Sequence, residues 1–180
     1  SEMCIRDRCY LDVNIDLTKN RFLLNPMICA RLIQSLNINK NDTVLTIGSG
    51  VGYNSVILSY LCNTVIGIES IKSFFDFSVD VLIKLEVNNV VFIKSKIENG
   101  YSDQQPYDCI IIEGGVNHVP IEILNQLSEN GRLVAVEIKE GNVGKATMYQ
   151  RYRKEFIKNY LFDAYVPIFD GFKKNQNFNF

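Results

Sequence analysis

Three glycines at alternate positions, Gly48, Gly50 and Gly52, end an apolar run that begins at Val44 and lead into a stretch with helical periodicity. Glycine at such a break can take backbone angles closed to other residues and lets a ligand approach the main chain, while the first turn of the following helix leaves amides without partners. The chemistry suggested is the seating of a nucleotide-like cofactor. A second candidate is Glu69, which ends the next apolar run about 20 residues beyond the first glycine. A carboxylate at the C-terminal end of a strand faces the ligand crevice of a wound sheet and can accept hydrogen bonds from both ribose hydroxyls. An isolated Glu would read as a solvated strand cap; its spacing from the glycine turn favours the ribose reading. A dinucleotide fingerprint, G-x-G-x-x-G, needs a third glycine for close helix packing. Here Tyr53 stands in that place, which favours S-adenosylmethionine, a cofactor with no pyrophosphate to seat on the helix amides.

Residues placed in this way need a parallel sheet around them, and the apolar pattern predicts one. Helical spacing covers 26–36 through Met27, Ile28, Ala30, Arg31, Leu32, Ile33 and Leu36, with a polar turn over 37–42. A short buried strand is expected at 44–47, a helix at 54–62 and a β-branched strand at 64–68, together a right-handed βαβ unit. Further along, the pattern predicts a helix at 71–85, strands at 90–93 and 109–112, a helix at 120–127, and a strand at 132–138 preceded by the turn residues Asn130 and Gly131. The aromatic-rich segments 146–151 and 156–166 read as antiparallel strands closing one edge. The expected fold is α/β, a Rossmann-like doubly wound sheet. Phe74, Phe75 and Phe77, with Val79, Leu82 and Ile83, read as helix core rather than a base-stacking platform.

At 180 residues the chain is long enough for one well-filled domain, and 19 basic against 20 acidic residues give no global attraction to nucleic acid or a membrane surface. Cys4, Cys9, Cys29, Cys62 and Cys109 are odd in number and contain no CxxC pair, the pattern of reduced thiols and a cytoplasmic setting. No apolar stretch has the length of a membrane span, and no signal peptide opens the chain. Residues 1–8, Ser-Glu-Met-Cys-Ile-Arg-Asp-Arg, resemble a translated sequencing-adapter remnant; on that reading, 9–180 is a single domain truncated at its N-terminus.

From Cys9 onward the order Tyr10-x-Asp12, Arg21 to Pro26, the glycine turn, Gly67-Ile68-Glu69, Asn99-Gly100-Tyr101, Pro106-Tyr107-Asp108, Glu113 to Pro120 and Leu127 to Leu133 resembles the protein-L-isoaspartate O-methyltransferase family. Leu161-Phe162-Asp163-Ala164 and Pro167 to Phe172 are similar to a bacterial isoaspartyl methyltransferase-like branch. The resemblance implies a class I S-adenosylmethionine-dependent methyltransferase with a seven-stranded, mostly parallel sheet and a C-terminal antiparallel edge. It also implies a protein or peptide substrate carrying damaged aspartyl residues. Nucleic acid is not expected as a partner, since no Asn-Pro-Pro-aromatic segment occurs, and the oligomeric state is left open. The cofactor-binding set implied is Gly48, Ser49, Gly50, Gly52, Tyr53, Glu69, Ser70, Ile97, Glu113 and Gly114.

A substrate carboxylate is already a competent nucleophile at neutral pH, so alignment and exclusion of water carry the reaction and no strong base is required. Leu24, Asn25 and His118 are the expected substrate-side positions. His118 sits just past a strand end in Gly-Gly-Val-Asn-His-Val-Pro, and reads equally as an exposed loop residue; alone, it lacks the ligand count of a metal site. The chain departs from the family pattern at Leu24, where a hydroxyl residue is usual, at Thr46, where an acid is usual, and at Ser95-Lys96-Ile97, where Gly-Asp-Gly is usual. The alternatives are therefore a methyltransferase with a different acceptor or a non-catalytic cofactor-binding domain.

Overall fold

The computed structural model describes residues 12–18, 21–139 and 141–173; Cys4, Cys9, Tyr10 and the adapter-like segment lie outside them. A small antiparallel pair, β1 (Ile15–Thr18) and β2 (Arg21–Leu23), precedes helix α1 (Pro26–Leu36). Asn25 caps α1 by accepting from the amides of Met27 and Ile28, Pro26 occupies the first turn where no amide bond is lost, and Asn37 ends the helix in the left-handed region at φ 46°. The buried stripe is Cys29, Leu32, Ile33 and Leu36, at the i, i+3, i+4, i+7 spacing of an amphipathic helix. Cys29 thus belongs to the core face, whereas Met27 of the expected apolar set is exposed.

The central sheet follows as β3 (Thr43–Ile47), α2 (Tyr53–Ser59), β4 (Thr64–Glu69), α3 (Lys72–Lys84), β5 (Val90–Lys94), β6 (Tyr107–Val116), α4 (Ile121–Leu124), β7 (Leu127–Glu137), β8 (Gly144–Tyr152) and β9 (Glu155–Ala164). Its order is β5-β4-β3-β6-β7-β8-β9 across seven strands. The first five run parallel, and β8 and β9 are antiparallel. The central strands are near-continuous Val, Ile and Leu runs because the interior of a parallel sheet is covered on both faces; Val44, Leu45, Ile47, Ile110, Ile111 and Ile112 are fully buried. The β3–β4 and β3–β6 pairings place the direction change of the sheet beside β3, so the crevice opens at the C-terminal ends of β3, β4 and β6.

Element bounds differ from the sequence reading where long-range pairing overrides periodicity. The segment 120–127 holds only a four-residue helix, because Leu127 is already recruited opposite Tyr107 as the start of β7. Asn130, at φ 63°, is the turn residue expected there, but it lies inside β7, where the pairing with β6 shifts register between Tyr107 and Cys109. Strand β6 runs well beyond 109–112 at both ends. In α3, Ser78 and Leu82 are buried and Phe75 and Val79 pack on the core, but Phe77 and Ile83 lie on the outer face, so the aromatic run is only partly core. Cys29, Cys62 and Cys109 are free, buried thiols, and burial raises each above its ordinary value.

Candidate cofactor crevice

The glycine turn is tied down to the neighbouring strand. The amides of Gly48 and Ser49 both donate to the Ile68 carbonyl, at 3.0 and 3.1 Å, and the buried Ser49 hydroxyl donates to the same oxygen at 3.3 Å. Gly48 holds φ 75° and Gly50 φ 55°, angles that favour glycine. Gly52 looks away from the crevice: a β-carbon there would lie 2.7 Å from the Phe92 ring and 3.2 Å from Ser78. It performs the close-packing task that the sequence reading reserved for the absent glycine at Tyr53, whose own side chain is exposed.

Glu69 ends β4 fully buried, and its carboxylate is saturated by the protein. Oε1 accepts from Arg21 Nη1 and from the Ile71 amide, each at 2.8 Å, with the Ser70 hydroxyl at 3.4 Å. Oε2 accepts from Arg21 Nη2 and, at 2.8 Å, from the Gly50 amide. The same Nη2 donates to the Gly48 carbonyl at 3.2 Å. Arg21 opens the family-like stretch Arg21 to Pro26 but is not among the expected site residues. The available signal was a lone cation in the apolar run Arg-Phe-Leu-Leu, which when buried requires a carboxylate partner.

Above Arg21 lies Phe169, its ring centroid 4.8 Å from the guanidinium carbon and 5.8 Å from the ring of Phe22. The Phe169 ring covers Gly48 and Gly114; a β-carbon at Gly114 would stand 2.6 Å from it. The backbone of 167–169 docks alongside the end of β6: Gly115 donates to Pro167 at 2.9 Å and Phe169 donates to Gly115 at 3.0 Å.

Glu113 lies on the same side of the sheet opening, and burial pushes its carboxyl up to about 8, against the lowering effects of the Asn54 hydrogen bond and the Arg21 charge. Its Oε2 accepts from Asn54 Nδ2 at 2.8 Å, and its Oε1 has no partner among the described residues. The Cys29 thiol, pushed up to about 12 chiefly by burial, donates in turn to Asn54 Oδ1. Ile97 is buried beyond β5, and Ser70 and His118 are exposed. Thr46 is fully buried, its hydroxyl 2.9 Å from that of Ser55. Leu24 packs in the core, and the Asn25 side chain is spent on the α1 cap.

The backbone frame fits S-adenosylmethionine. A left-handed glycine turn, a buried acid at the next strand end and an unpartnered buried carboxyl oxygen converge at one mouth of the sheet. Side chains of the chain itself lie over part of that frame, Arg21 on Glu69 and Phe169 on Gly48 and Gly114.

Sheet order and crevice together define a Rossmann-like class I methyltransferase fold. The profile of the family Protein-L-isoaspartate(D-aspartate) O-methyltransferase (PCMT) matches residues 2–173, and the chain belongs to that family. A protein-L-isoaspartate O-methyltransferase of Desulfotalea psychrophila is 36% identical over 132 residues, 72% of this chain and 60% of the relative. One from Pseudomonas paraeruginosa is 30% identical over 166 residues, 91% of this chain and 78% of the relative. Among solved structures, a protein-L-isoaspartate O-methyltransferase superimposes with a TM-score of 0.81 at 23% identity, covering 91% of this chain and 54% of its own. A candidate enzyme of this type from Plasmodium falciparum, in complex with S-adenosyl-L-homocysteine, gives a TM-score of 0.73 at 21% identity, covering 92% and 82%.

Proposed function

We propose that the chain is an S-adenosylmethionine-dependent carboxyl methyltransferase acting on isoaspartyl residues of proteins, a protein-repair activity of the cytoplasm. The observation that carries the proposal is the convergence of the glycine turn and the buried Glu69 at the C-terminal mouth of a parallel sheet, in a chain of this family. The cofactor, when bound, supplies an electrophilic methyl on a sulfonium; the accepting carboxylate contributes the electron pair that forms the ester. The chain's part is binding and alignment.

Glu69 would accept the ribose hydroxyls, the Gly48 to Gly50 main chain would face the ligand, and Ser70 and Ile97 would flank the base. Glu113 and Gly114 would border the methionine portion, and His118 would stand on the substrate side. Thr46 and Lys96 supply no carboxylate, which leaves Glu69 and Glu113 as the acidic side chains of the candidate set. No helix among the described residues is long and apolar enough to cross a membrane.

The decisive experiment incubates the chain with methyl-labelled cofactor and an isoaspartyl peptide beside its normal aspartyl twin. Base-labile label on the isoaspartyl peptide alone is the expected result. Label on neither peptide, with cofactor bound, would show that the acceptor has been misassigned.

A further inference from the structure

We propose that Arg21 and Phe169 are an internal competitor for the cofactor crevice, so that the cofactor binds only by exchanging with them. The proposal rests on reading this crevice as a cofactor site. Each half of the crevice has its own occupant. Both oxygens of Glu69 are engaged by the guanidinium of Arg21, a side chain that itself reaches into the interior and is only 6% exposed as a residue. The ring of Phe169, 1% exposed, lies on the open side of Gly48 and Gly114, the surface that the absence of side chains would otherwise leave to a ligand.

These two occupants act as one body. The guanidinium stacks 4.8 Å from the Phe169 ring and also donates to the Gly48 carbonyl, so displacing either exposes the other. Phe169 is held from behind by the backbone bonds at Gly115, which define the segment that must shift. A bidentate charged donor is a stronger partner for Glu69 than a pair of neutral hydroxyls, so the closed arrangement is favoured until the rest of a ligand contributes.

The closed arrangement is also incompletely satisfied. Arg21 Nε and Glu113 Oε1, two polar atoms bordering the crevice, are both buried without a partner among the described residues. Buried polar groups left in this way destabilise the state that holds them, and a ligand carrying amino and hydroxyl groups can relieve that cost. Exchange therefore lowers the apparent affinity by the fraction of molecules that are open.

The test titrates S-adenosylhomocysteine calorimetrically into the full chain and into Phe169→Ala, Phe169→Leu and Arg21→Gln, with circular dichroism to confirm folding. The leucine variant shortens the ring while keeping an apolar side chain, and covers the case in which the alanine variant fails to fold. Removing the competitor should tighten binding by about tenfold or more, as expected when the open fraction rises from a small minority. In the unaltered chain, adding the same ligand should speed hydrogen exchange at the Phe169 amide, whose bond to Gly115 must loosen. Variants that bind no more tightly than the unaltered chain, with Phe169 exchange unchanged, would overturn the competitor while leaving the cofactor reading intact. Failure of every folded variant and of the unaltered chain to bind would overturn both.

Discussion

Removing the Glu69 carboxylate would strand a buried guanidinium. Among the described residues Arg21 has no other carboxylate as a hydrogen-bond partner, and a buried ion pair broken from one side leaves an uncompensated charge. Glu69→Ala should therefore lower unfolding free energy by about 3–5 kcal/mol, measured by urea denaturation, besides weakening cofactor binding. A loss below ~1 kcal/mol would show the pair to be solvated. Glu113 makes a different prediction. Its folded carboxyl titrates at about 8 rather than 4.5, so between those values the unfolded chain has released a proton that the folded chain retains. Stability from this group is fully present below about 4.5, falls as pH rises through the window and is lost above about 8. The slope approaches ~1.4 kcal/mol per pH unit. Glu113→Gln should flatten that decline in denaturation curves taken across the window, and parallel curves for the two proteins would contradict the assignment.

Helix α1 shows what an element reads from its sequence. Pro26 opens the helix where its apolar spacing begins, whereas Asn25, expected on the substrate side, is the N-cap, its side chain accepting from the Met27 and Ile28 amides. Asn25→Ala should cost about 1 kcal/mol in denaturation, the ordinary loss for an N-cap. The expected core face was less accurate, because it included Met27, Ala30 and Arg31, which the structure exposes. The loop after β5 was legible only as a family pattern. Gln126 makes it physical, donating to the carbonyls of Asn99 and Glu122 and accepting from the Tyr101 amide at 2.8 Å. The Tyr107 hydroxyl donates to the Tyr101 carbonyl at 2.6 Å. These residues serve the loop's shape, and no local periodicity encodes a glutamine that folds back across 25 positions. Gln126→Ala leaves three backbone groups without their partner and should destabilise by about 1–3 kcal/mol in the same measurement.

At the scale of the molecule, the wound sheet and its antiparallel edge were legible because strand runs and turn residues alternate in order. The glycine turn and Glu69 were legible because both are local and chemically unusual. Arg21 and Phe169 stand in family-like stretches, but their pairing was not legible because they lie far apart in sequence and meet only across the folded crevice. If the crevice holds the cofactor, saturating ligand must stabilise the whole domain. At 100 times its dissociation constant, S-adenosylhomocysteine should add about 2.7 kcal/mol to unfolding free energy. An unshifted thermal transition under those conditions would count against the cofactor assignment.

One aromatic ring ties distant parts of the architecture together. Phe92 on β5 presses on Gly67 of β4, where a β-carbon would lie 2.5 Å from the ring, and on Gly52 at the start of α2, where the separation would be 2.7 Å. The identities at these three positions are therefore not independent choices. Gly67→Ala alone overfills the space and Phe92→Leu alone empties it, each a destabilising step. Made together, they should cost less than the sum of the two, a favourable coupling in a double-mutant cycle. Divergence of this chain would then have to pass through paired replacements, with the ring retained for as long as both glycines are.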